Sequence, residues 1–445
     1  MDLRPGLRRI VAGFALAALT LGTVVPSSGA AARTKPHRLR PIVFVHGFSG
    51  SGSQFESPAK RFASNGYPVD YIEAQEYDST FTTSTVADLY AALDARIARL
   101  LQKTGADQVD LAAHSLGTML SQQYLTSSPE RARRVAHYVN LDGWTASEPP
   151  GGVPTLAIWG EGSTERTIVG AKNVYFSDQS HTETVTSPQS FAQEFAFLTG
   201  RAPRTTAIVP QSAGRAWLSG RVVLFPTNVG LTQATLDVYR VKAVTGQRLW
   251  SRPVASYRLT GDGSWGPFRA NPAARYEFAV THANGNVHHF YAEPSRRSST
   301  LIRLLTAIPG TGLDTIQEKS DQQSNLTIIR NREWWGDQGA ASDILKVDGV
   351  NLLNAATSPR TKRAIAVFAY DVGTDGVSHP ESAIPVLSAL PFLTGVDLFT
   401  AASPRATGRV VVSVKPRGRE RPDVVVVPNW PSTKHQISIM IDDAP

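Results

Sequence analysis

Apolar and polar positions along the first 200 residues follow a pattern typical of a parallel sheet covered by helices on both faces. Short, mainly apolar runs predict six buried strands, at residues 42–45, 69–72, 109–112, 137–141, 156–159 and 173–176. Between these runs, apolar residues recur at helical spacing. Ser57-Pro58 and Ser187-Pro188 are typical of helix starts, and Gly200 is typical of a helix end. Six strands joined by right-handed crossovers predict a doubly wound, mostly parallel sheet.

The residues after about 200 follow a different pattern. Runs rich in β-branched residues are separated by turn signals such as Gly261-Asp262-Gly263 and Asn284-Gly285-Asn286. This pattern predicts a β-rich domain of sandwich or barrel type. We place a catalytic domain at residues 33–205 and a β-rich accessory domain at 206–445. Two small β modules in place of one β domain remain an open alternative.

The charge distribution supports a boundary near residue 200. Residues 33–200 contain 14 Lys and Arg against 17 Asp and Glu, whereas residues 201–445 contain 28 against 19. The formal net charge of +8 therefore arises mainly in the second half, and such asymmetry is typical of separate domains. The chain has no Cys, which excludes disulfides, a Cys nucleophile, an iron–sulfur cluster and Cys-ligated zinc.

The N-terminus has the layout of a secretory signal peptide. Arg4, Arg8 and Arg9 precede an apolar stretch at residues 10–25, and small residues follow at 28–32. We therefore expect residues 1–32 to be removed and the protein to be secreted, with a retained anchor as the alternative. Export argues against a nucleic-acid partner. The basic second half is then expected to meet anionic lipid or a cell-envelope surface.

One motif points to a nucleophile. The sequence Ala-His-Ser-Leu-Gly at residues 113–117 lies between a predicted strand and a predicted helix, the context of the nucleophile elbow of α/β hydrolases. The sharp turn needs small residues two positions either side of Ser115. Backbone N–H groups of Leu116 and of Phe48, in the loop after the first strand, are the expected oxyanion-hole donors. This chemistry needs no metal and no cofactor.

The general base and its acid partner follow later in the chain, in the order Ser, acid, His. His181 lies just after the last predicted strand and is the expected base. Two carboxylates compete for the acid: Asp142 after the fourth strand and Glu161 after the fifth. The commoner position in this fold favours Glu161, and the residues alone leave the choice open. His46 and His114 are expected to shape loops.

Several segments resemble the two-domain lipases typified by an Archaeoglobus lipase, in which an α/β hydrolase precedes a β-rich lipid-binding domain. The resemblance is carried by residues 46–56, 61–68, 114–118, 127–132, 135–137, 141–143, 173–176, 181 and 186–188. It implies that the acid lies in Leu141-Asp142-Gly143, which gives the triad Ser115, Asp142 and His181. It also implies a lipase or carboxylesterase whose substrate is an acylglycerol or a similar acyl ester.

One departure from that family concerns a lid. The archaeal relative has a helical lid after a segment similar to residues 76–78, whereas here residues 79–85 lead straight into a predicted helix. We therefore expect an open site, weak interfacial activation and good activity on short to medium acyl chains. Two alternatives remain: a polyester hydrolase or acyltransferase with the same triad, and a catalytically inactive protein that binds the cell envelope.

Overall fold

The computed structural model describes residues 39–162 and 164–442. The predicted signal peptide at residues 1–32 lies outside these ranges. The residues from Leu39 onward belong to one compact unit. Within the described ranges, no helix has both the length and the apolar character needed to cross a membrane.

The first part of this unit alternates strands and helices. Its strands are β1 (Ile42–Val45), β2 (Ile72–Gln75), β3 (Val109–His114), β4 (Val135–Leu141), β5 (Thr155–Trp159) and β6 (Lys172–Tyr175). Its helices are α1 (Glu56–Ser64), α2 (Val86–Thr104), α3 (Leu116–Thr126), α4 (Pro129–Arg133), α5 (Glu183–Thr186) and α6 (Pro188–Thr199).

All six strands are parallel and lie in the order β2-β1-β3-β4-β5-β6. Consecutive β1 residues point to opposite faces: Ile42 and Phe44 pack with α1 and α6, whereas Val43 and Val45 pack with α2 and α3. The strand order reverses between β1 and β3. In open α/β sheets such a reversal opens a crevice beyond the carboxyl ends of the strands, where ligands bind.

Most predicted elements have boundaries that differ from the observed ones, and two of these differences have a local cause. The second strand begins at Ile72, because Val69–Tyr71 forms a short 3-10 turn after Pro68. Helix α1 begins at Glu56, one residue before the predicted cap, because the 3-10 turn Gly52–Phe55 leads directly into it. Helix α6 starts and ends as predicted, between its cap Ser187 and Gly200 at φ +71°.

The second part of the unit is almost entirely β-structure. The strands of its first half are β7 (Ala216–Leu224), β8 (Val229–Gly230), β9 (Ala234–Val241), β10 (Ala255–Leu259), β11 (Ser264–Ala270), β12 (Arg275–Thr281), β13 (Val287–Ala292) and β14 (Ser299–Thr306). Those of its second half are β15 (Leu326–Ile329), β16 (Ile344–Val347), β17 (Val350–Asn351), β18 (Ala366–Tyr370), β19 (His379–Ala383), β20 (Leu393–Asp397), β21 (Arg409–Lys415), β22 (Asp423–Pro428) and β23 (His435–Met440), with the short helix α7 (Pro385–Ser388) between β19 and β20.

A nine-stranded sheet, in the order β10-β9-β12-β13-β23-β15-β18-β20-β19, joins the two halves. The smaller sheet β11-β7-β14 shares an apolar core with its first strands, and the sheet β17-β16-β21-β22 shares another with its last strands. The final strand β23 lies between β13 and β15 and is parallel to both. The β-rich region thus consists of two modules built on one shared sheet, which we call the first and second β modules.

Glu194 on α6 is a buried acid without a hydrogen-bond partner among the described residues. Burial raises the pKa of its carboxyl group to about 8, although the charge of Arg61 acts in the opposite direction. The unfolded chain releases this proton at the ordinary pKa, whereas the folded chain retains it up to about pH 8. Stability is therefore lost as the pH rises between these two values.

We expect Glu194→Gln, which cannot ionise, to raise the free energy of unfolding by about 2 kcal/mol at high pH and by little at low pH. Urea unfolding at about pH 4 and about pH 9 measures the difference. The exposed Glu148→Gln serves as the control and should leave stability unchanged at both pH values. An equal gain for Glu194→Gln at both pH values would contradict the buried-acid explanation.

Candidate active site

Ser115 lies in the sharp turn between β3 and α3, with φ 52° and ψ −124°. A non-glycine residue in such a conformation stores strain, as is usual for the nucleophile of an elbow. The turn is closely packed: a Cβ added at Gly117 would lie 2.4 Å from the His46 carbonyl oxygen, and one added at Gly47 would lie 2.8 Å from Ser115 Cβ. The two glycines therefore let the β1 loop approach the elbow closely.

Two backbone N–H groups lie beside Ser115. Leu116 is the first residue of α3, and Phe48 follows β1 on the loop that contacts the elbow. Neither N–H donates a hydrogen bond to another group in the described part of the chain. The Leu116 N–H lies at the N-terminus of α3, where backbone N–H groups favour a developing negative charge. Phe48 lines the same pocket as Ser115, and Leu116 directly follows Ser115 in the sequence.

His181 and Asp142 are in direct contact. His181 Nδ1 donates to Asp142 Oδ2 at 2.6 Å, and His181 also lines the pocket of Ser115. The other oxygen, Oδ1, accepts from the Gly160 N–H at 2.9 Å and from Arg166 Nη1 at 2.9 Å. Burial opposes ionisation of this carboxyl, but the His181 and Gly160 hydrogen bonds and the Arg166 charge outweigh it and lower its pKa to about 2. Asp142 is thus held as a carboxylate.

Glu161, the competing carboxylate, lies elsewhere. Its Oε2 accepts from Arg360 Nε at 2.6 Å, and Arg363 approaches its other oxygen at 3.6 Å. Both arginines belong to the second β module. The structure therefore places Asp142 against His181 and uses Glu161 in an ion pair with the β-rich region.

The two histidines beside the site hold loops. His114 Nε2 donates to the His181 carbonyl oxygen at 3.0 Å, while its Nδ1 accepts from Gln54 Nε2 at 2.8 Å. Burial, with the nearby His181, lowers the pKa of His114 well below its ordinary value. His46 Nδ1 donates to the Gly47 carbonyl oxygen at 2.8 Å, and its ring stacks on Tyr77. Burial also lowers the pKa of His46.

The first β module binds the loop that carries Phe48. Asn228 Nδ2 donates to the Gly50 carbonyl oxygen at 2.7 Å and to the Tyr77 carbonyl oxygen at 3.2 Å. Arg303 on β14 pairs with the buried Glu76, whose Oε1 accepts from the Gly52 N–H at 2.9 Å. These bonds hold the loop at Gly50 and Gly52, on the C-terminal side of Phe48.

The second β module binds the loop that carries His181. Glu333 is fully buried, and its two oxygens accept from Thr182 N at 2.6 Å and from Thr182 Oγ1 at 2.7 Å. Ser180 Oγ donates to the same carboxylate. Glu333 thus binds the residues on both sides of His181. Arg417, also in the second β module, pairs with Glu183, the residue that follows Thr182.

The pocket of Ser115 is lined by both the hydrolase part and the β-rich region. The segment after Asp78 forms no inserted helix and leads to α2, as expected. However, half-buried apolar side chains from both β modules line the pocket: Leu305, Ile329, Ile365 and Phe392. The β-rich region therefore contributes part of the wall of this pocket, and the expected open site with weak interfacial activation stays a prediction.

The structure thus brings together Ser115, Asp142, His181 and the N–H groups of Phe48 and Leu116. Sequence reasoning missed Arg166, Asn228 and Glu333. These three residues act through contacts with partners distant in sequence, so neither spacing nor local pattern marks them. Among the described residues, no three His, Asp or Glu side chains are grouped as metal ligands.

Family models match three consecutive parts of the chain. Residues 40–174 match the alpha/beta hydrolase fold family, and residues 214–309 match the lipase C-terminal domain family. Residues 312–445 match a further C-terminal domain family. The last two matches coincide with the two β modules.

Solved structures similar to this chain include several hydrolases. The product of the gene lin2722 from Listeria innocua is 16% identical, with 38% of this chain and 96% of that chain covered and a TM-score of 0.29. Aspergillus fumigatus lipase B is 13% identical, with 38% and 54% covered and a TM-score of 0.29. Bacillus licheniformis lipase BlEst2 in its mature form is 17% identical, with 37% and 94% covered and a TM-score of 0.29.

The predicted fold is confirmed: an α/β hydrolase with a parallel sheet precedes a β-rich region of several sheets. The hydrolase fold and the lipase-related domains support an ester hydrolase of the lipase or esterase type. This succession of domains is consistent with a two-domain lipase family, which the sequence resembles.

Proposed function

We propose that this protein is a secreted serine ester hydrolase that cleaves acylglycerols or similar acyl esters with Ser115, Asp142 and His181. The observation that carries the proposal is the 2.6 Å contact between His181 Nδ1 and Asp142 Oδ2 in the pocket of the strained Ser115. The contact orients the imidazole and leaves its Nε2 edge available to the serine. The apolar wall of the pocket suits an acyl substrate.

The reaction follows from these positions. His181 Nε2 takes the Ser115 proton while Oγ forms a bond to the ester carbonyl carbon, and the carbonyl electron pair moves to oxygen. The N–H groups of Phe48 and Leu116 bind this oxyanion. The intermediate then collapses, and the C–O bond to the alcohol breaks as the alcohol takes the proton from Nε2. Water repeats the sequence on the acyl-enzyme and releases the acid.

Covalent labelling tests the proposed nucleophile. A fluorophosphonate probe is expected to label the wild-type protein and to leave Ser115→Ala unlabelled, and turnover of ethyl butanoate should disappear in the same variant. The matched control Ser127→Ala, in the loop after α3, should label and turn over normally. Labelling that persists in Ser115→Ala, or a wild-type protein without label and turnover, would overturn the proposal and favour a catalytically inactive binding protein.

The loop that carries Phe48 gives a further prediction. We expect Asn228→Ala to lower kcat about tenfold with little change in KM, because a displaced oxyanion donor weakens transition-state binding more than substrate binding. Steady-state kinetics on ethyl butanoate measure the change. Asn284→Ala, in an exposed turn of the same module, is the control and should match the wild type. An unchanged kcat in Asn228→Ala would show that the loop keeps its position without this side chain.

Two parts of the proposal rest on the sequence. Secretion rests on the layout of residues 1–32, and N-terminal sequencing of exported protein tests whether cleavage occurs there. Attraction to anionic lipid or cell-envelope surfaces rests on the excess of Lys and Arg after residue 200 and stays a prediction.

A further inference from the structure

Four acidic side chains are grouped where two parallel strands of the second β module end. Asp371 directly follows β18, and Asp397 is the last residue of the neighbouring strand β20. Asp375 lies in the loop that leaves β18, and Glu318 reaches the same loop, because its Oε2 accepts from the Gly373 N–H at 2.9 Å. Asp397 also holds this loop, since its Oδ1 accepts from the N–H of the residue after Asp371 at 3.0 Å. We call these four acids the acidic cluster.

One carboxyl group of the acidic cluster is buried and only partly satisfied. Asp371 is 1% exposed. Its Oδ2 accepts from the Gly376 N–H at 2.9 Å, whereas its Oδ1 is buried and has no hydrogen-bond partner among the described residues. A buried carboxylate oxygen without a partner costs free energy unless another group binds it. Asp371 Oδ1 therefore marks a position for a ligand that the chain itself does not supply.

The side chain that faces Asp371 is a second acid. The Asp375 carboxyl lies within hydrogen-bond distance of the Asp371 carboxyl. Burial, together with the charges of Asp375 and Asp397, raises the pKa of Asp371. Two ionised carboxylates in such contact repel each other, so either a proton or a cation has to lie between them.

The described part of the chain supplies no cation to the acidic cluster. The nearest Lys in the sequence, Lys319, pairs with Asp314 at 2.6 Å. His379 stands opposite Asp397 in the register of β19 and β20, but its ring approaches Glu381 at 3.6 Å. No Lys, Arg or His of the described ranges forms an ion pair with any of the four acids. A local excess of negative charge therefore remains in a region of the chain that is basic as a whole.

We propose that the acidic cluster binds a calcium ion between Asp371 Oδ1 and the Asp375 carboxylate. Ca²⁺ takes about six to eight oxygen ligands in flexible geometry, whereas Mg²⁺ demands a near-octahedral site and gives up its water reluctantly. The sequence adds a partial match to an EF-hand calcium loop: Asp371, Asp375 and Gly376 stand at its first, fifth and sixth positions. Its third and twelfth positions are Gly373 and Ser382, which carry no carboxylate.

The small number of carboxylates predicts a weak site. Among the described residues, no third His, Asp or Glu joins Asp371 and Asp375 as a metal ligand, so backbone carbonyl groups and water have to supply the other ligands. Asp397 and Glu318 bind backbone N–H groups and add to the negative potential. We therefore expect a Kd of about 10⁻⁴ to 10⁻³ M, the range of extracellular calcium modules.

The calcium ion is a structural ligand of the second β module. The site lies beyond the carboxyl ends of β18 and β20. Ile365 and Phe392, which precede the amino ends of the same two strands, line the catalytic pocket. None of the four acids lines that pocket, so the ion takes no part in ester hydrolysis.

Calcium titration of the EDTA-treated protein tests the site. We expect calorimetry to show one Ca²⁺ per chain, and 10 mM CaCl₂ to raise Tm by about 2–4 °C, because the ion binds the folded chain. Asp371→Asn and Asp375→Asn should each weaken binding about tenfold or more and abolish this rise. The exposed Glu420→Gln in the same module is the control and should keep both. In the wild type, 10 mM MgCl₂ should raise Tm by less than half as much.

Several results would overturn the site: no binding up to 10 mM CaCl₂, binding that persists in either Asn variant, or equal Tm rises with CaCl₂ and MgCl₂. If Asp371 and Asp375 share a proton instead, Asp371→Asn will raise Tm without calcium, and calcium will change nothing. Asp375 is exposed, so Asp375→Asn carries the test if Asp371→Asn fails to fold. Turnover of ethyl butanoate is measured separately and depends on Ser115, so a failure of the calcium site leaves the proposed function intact.

Discussion

Asp142→Asn is expected to lower kcat about 10⁴-fold while KM stays within a few-fold of the wild type, because an amide favours the wrong imidazole tautomer. In the wild type, His181 Nδ1 donates to Asp142 Oδ2 at 2.6 Å, and the carboxylate stabilises the imidazolium that forms when Ser115 loses its proton. Asn has nearly the same shape but no charge. The substitution therefore weakens the stabilisation of the transition state and has little effect on substrate binding. Steady-state kinetics on ethyl butanoate measure both parameters.

Glu161→Gln is the matched control. Its carboxylate also follows a strand of the central sheet, but it pairs with Arg360 at 2.6 Å. We expect kcat within about threefold of the wild type, since only a partly exposed ion pair is lost. Near-normal turnover in Asp142→Asn, together with a large loss in Glu161→Gln, would reverse the choice of acid.

The pH profile adds a check on Asp142. Because the pKa of its carboxyl is lowered to about 2, the carboxylate stays ionised across the range in which the enzyme is assayed. The loss in Asp142→Asn should therefore be present from about pH 5 to about pH 9, with no pH at which the variant regains wild-type turnover.

The sequence predicted the parts of this molecule that depend on local patterns. Ser115 was found from a strand, a turn with small flanking residues and a helix, which are all adjacent in the chain. The six strands are predicted by short, mainly apolar runs, and the sheet buries the central strands β1, β3 and β5 on both faces. The residues alone did not separate Asp142 from Glu161, since both follow strands at the same edge of the sheet. What separates them in the structure is Arg360, almost 200 residues after Glu161.

The arrangement of the β-rich region had no such local signal. The last strand β23 lies between β13 and β15, so the central pairing of the nine-stranded sheet joins segments over 100 residues apart. Part of the wall of the catalytic pocket arises from the same long-range packing, because Leu305, Ile329 and Phe392 lie far from Ser115 in the sequence. Contacts of this kind depend on the complete fold, and the sequence contains no regular spacing of residues that would predict them.

Glu333 is the strongest of these long-range contacts, and its removal is expected to lower kcat about 100-fold. Its buried carboxylate binds Thr182 N at 2.6 Å and Thr182 Oγ1 at 2.7 Å, and Ser180 Oγ also donates to it. Glu333→Ala leaves the two Thr182 donors without this partner and removes one acceptor of Ser180 Oγ. Small displacements of a catalytic group such as His181 have large effects on rate. Glu333→Gln keeps one carbonyl oxygen for Thr182 N and should lose only about tenfold.

The graded series distinguishes a positioning role from a purely structural one. If Glu333 only stabilised the fold, kcat per folded molecule and the fluorophosphonate labelling rate would stay at wild-type values below the unfolding temperature, and only Tm would fall. We expect instead that both rates fall in the order wild type, Gln and Ala, while KM for ethyl butanoate stays nearly constant. The exposed Glu381→Gln in the same module should behave as wild type in all of these measurements. A lower Tm with unchanged rates would show that the loop of His181 holds its geometry without the Glu333 carboxylate.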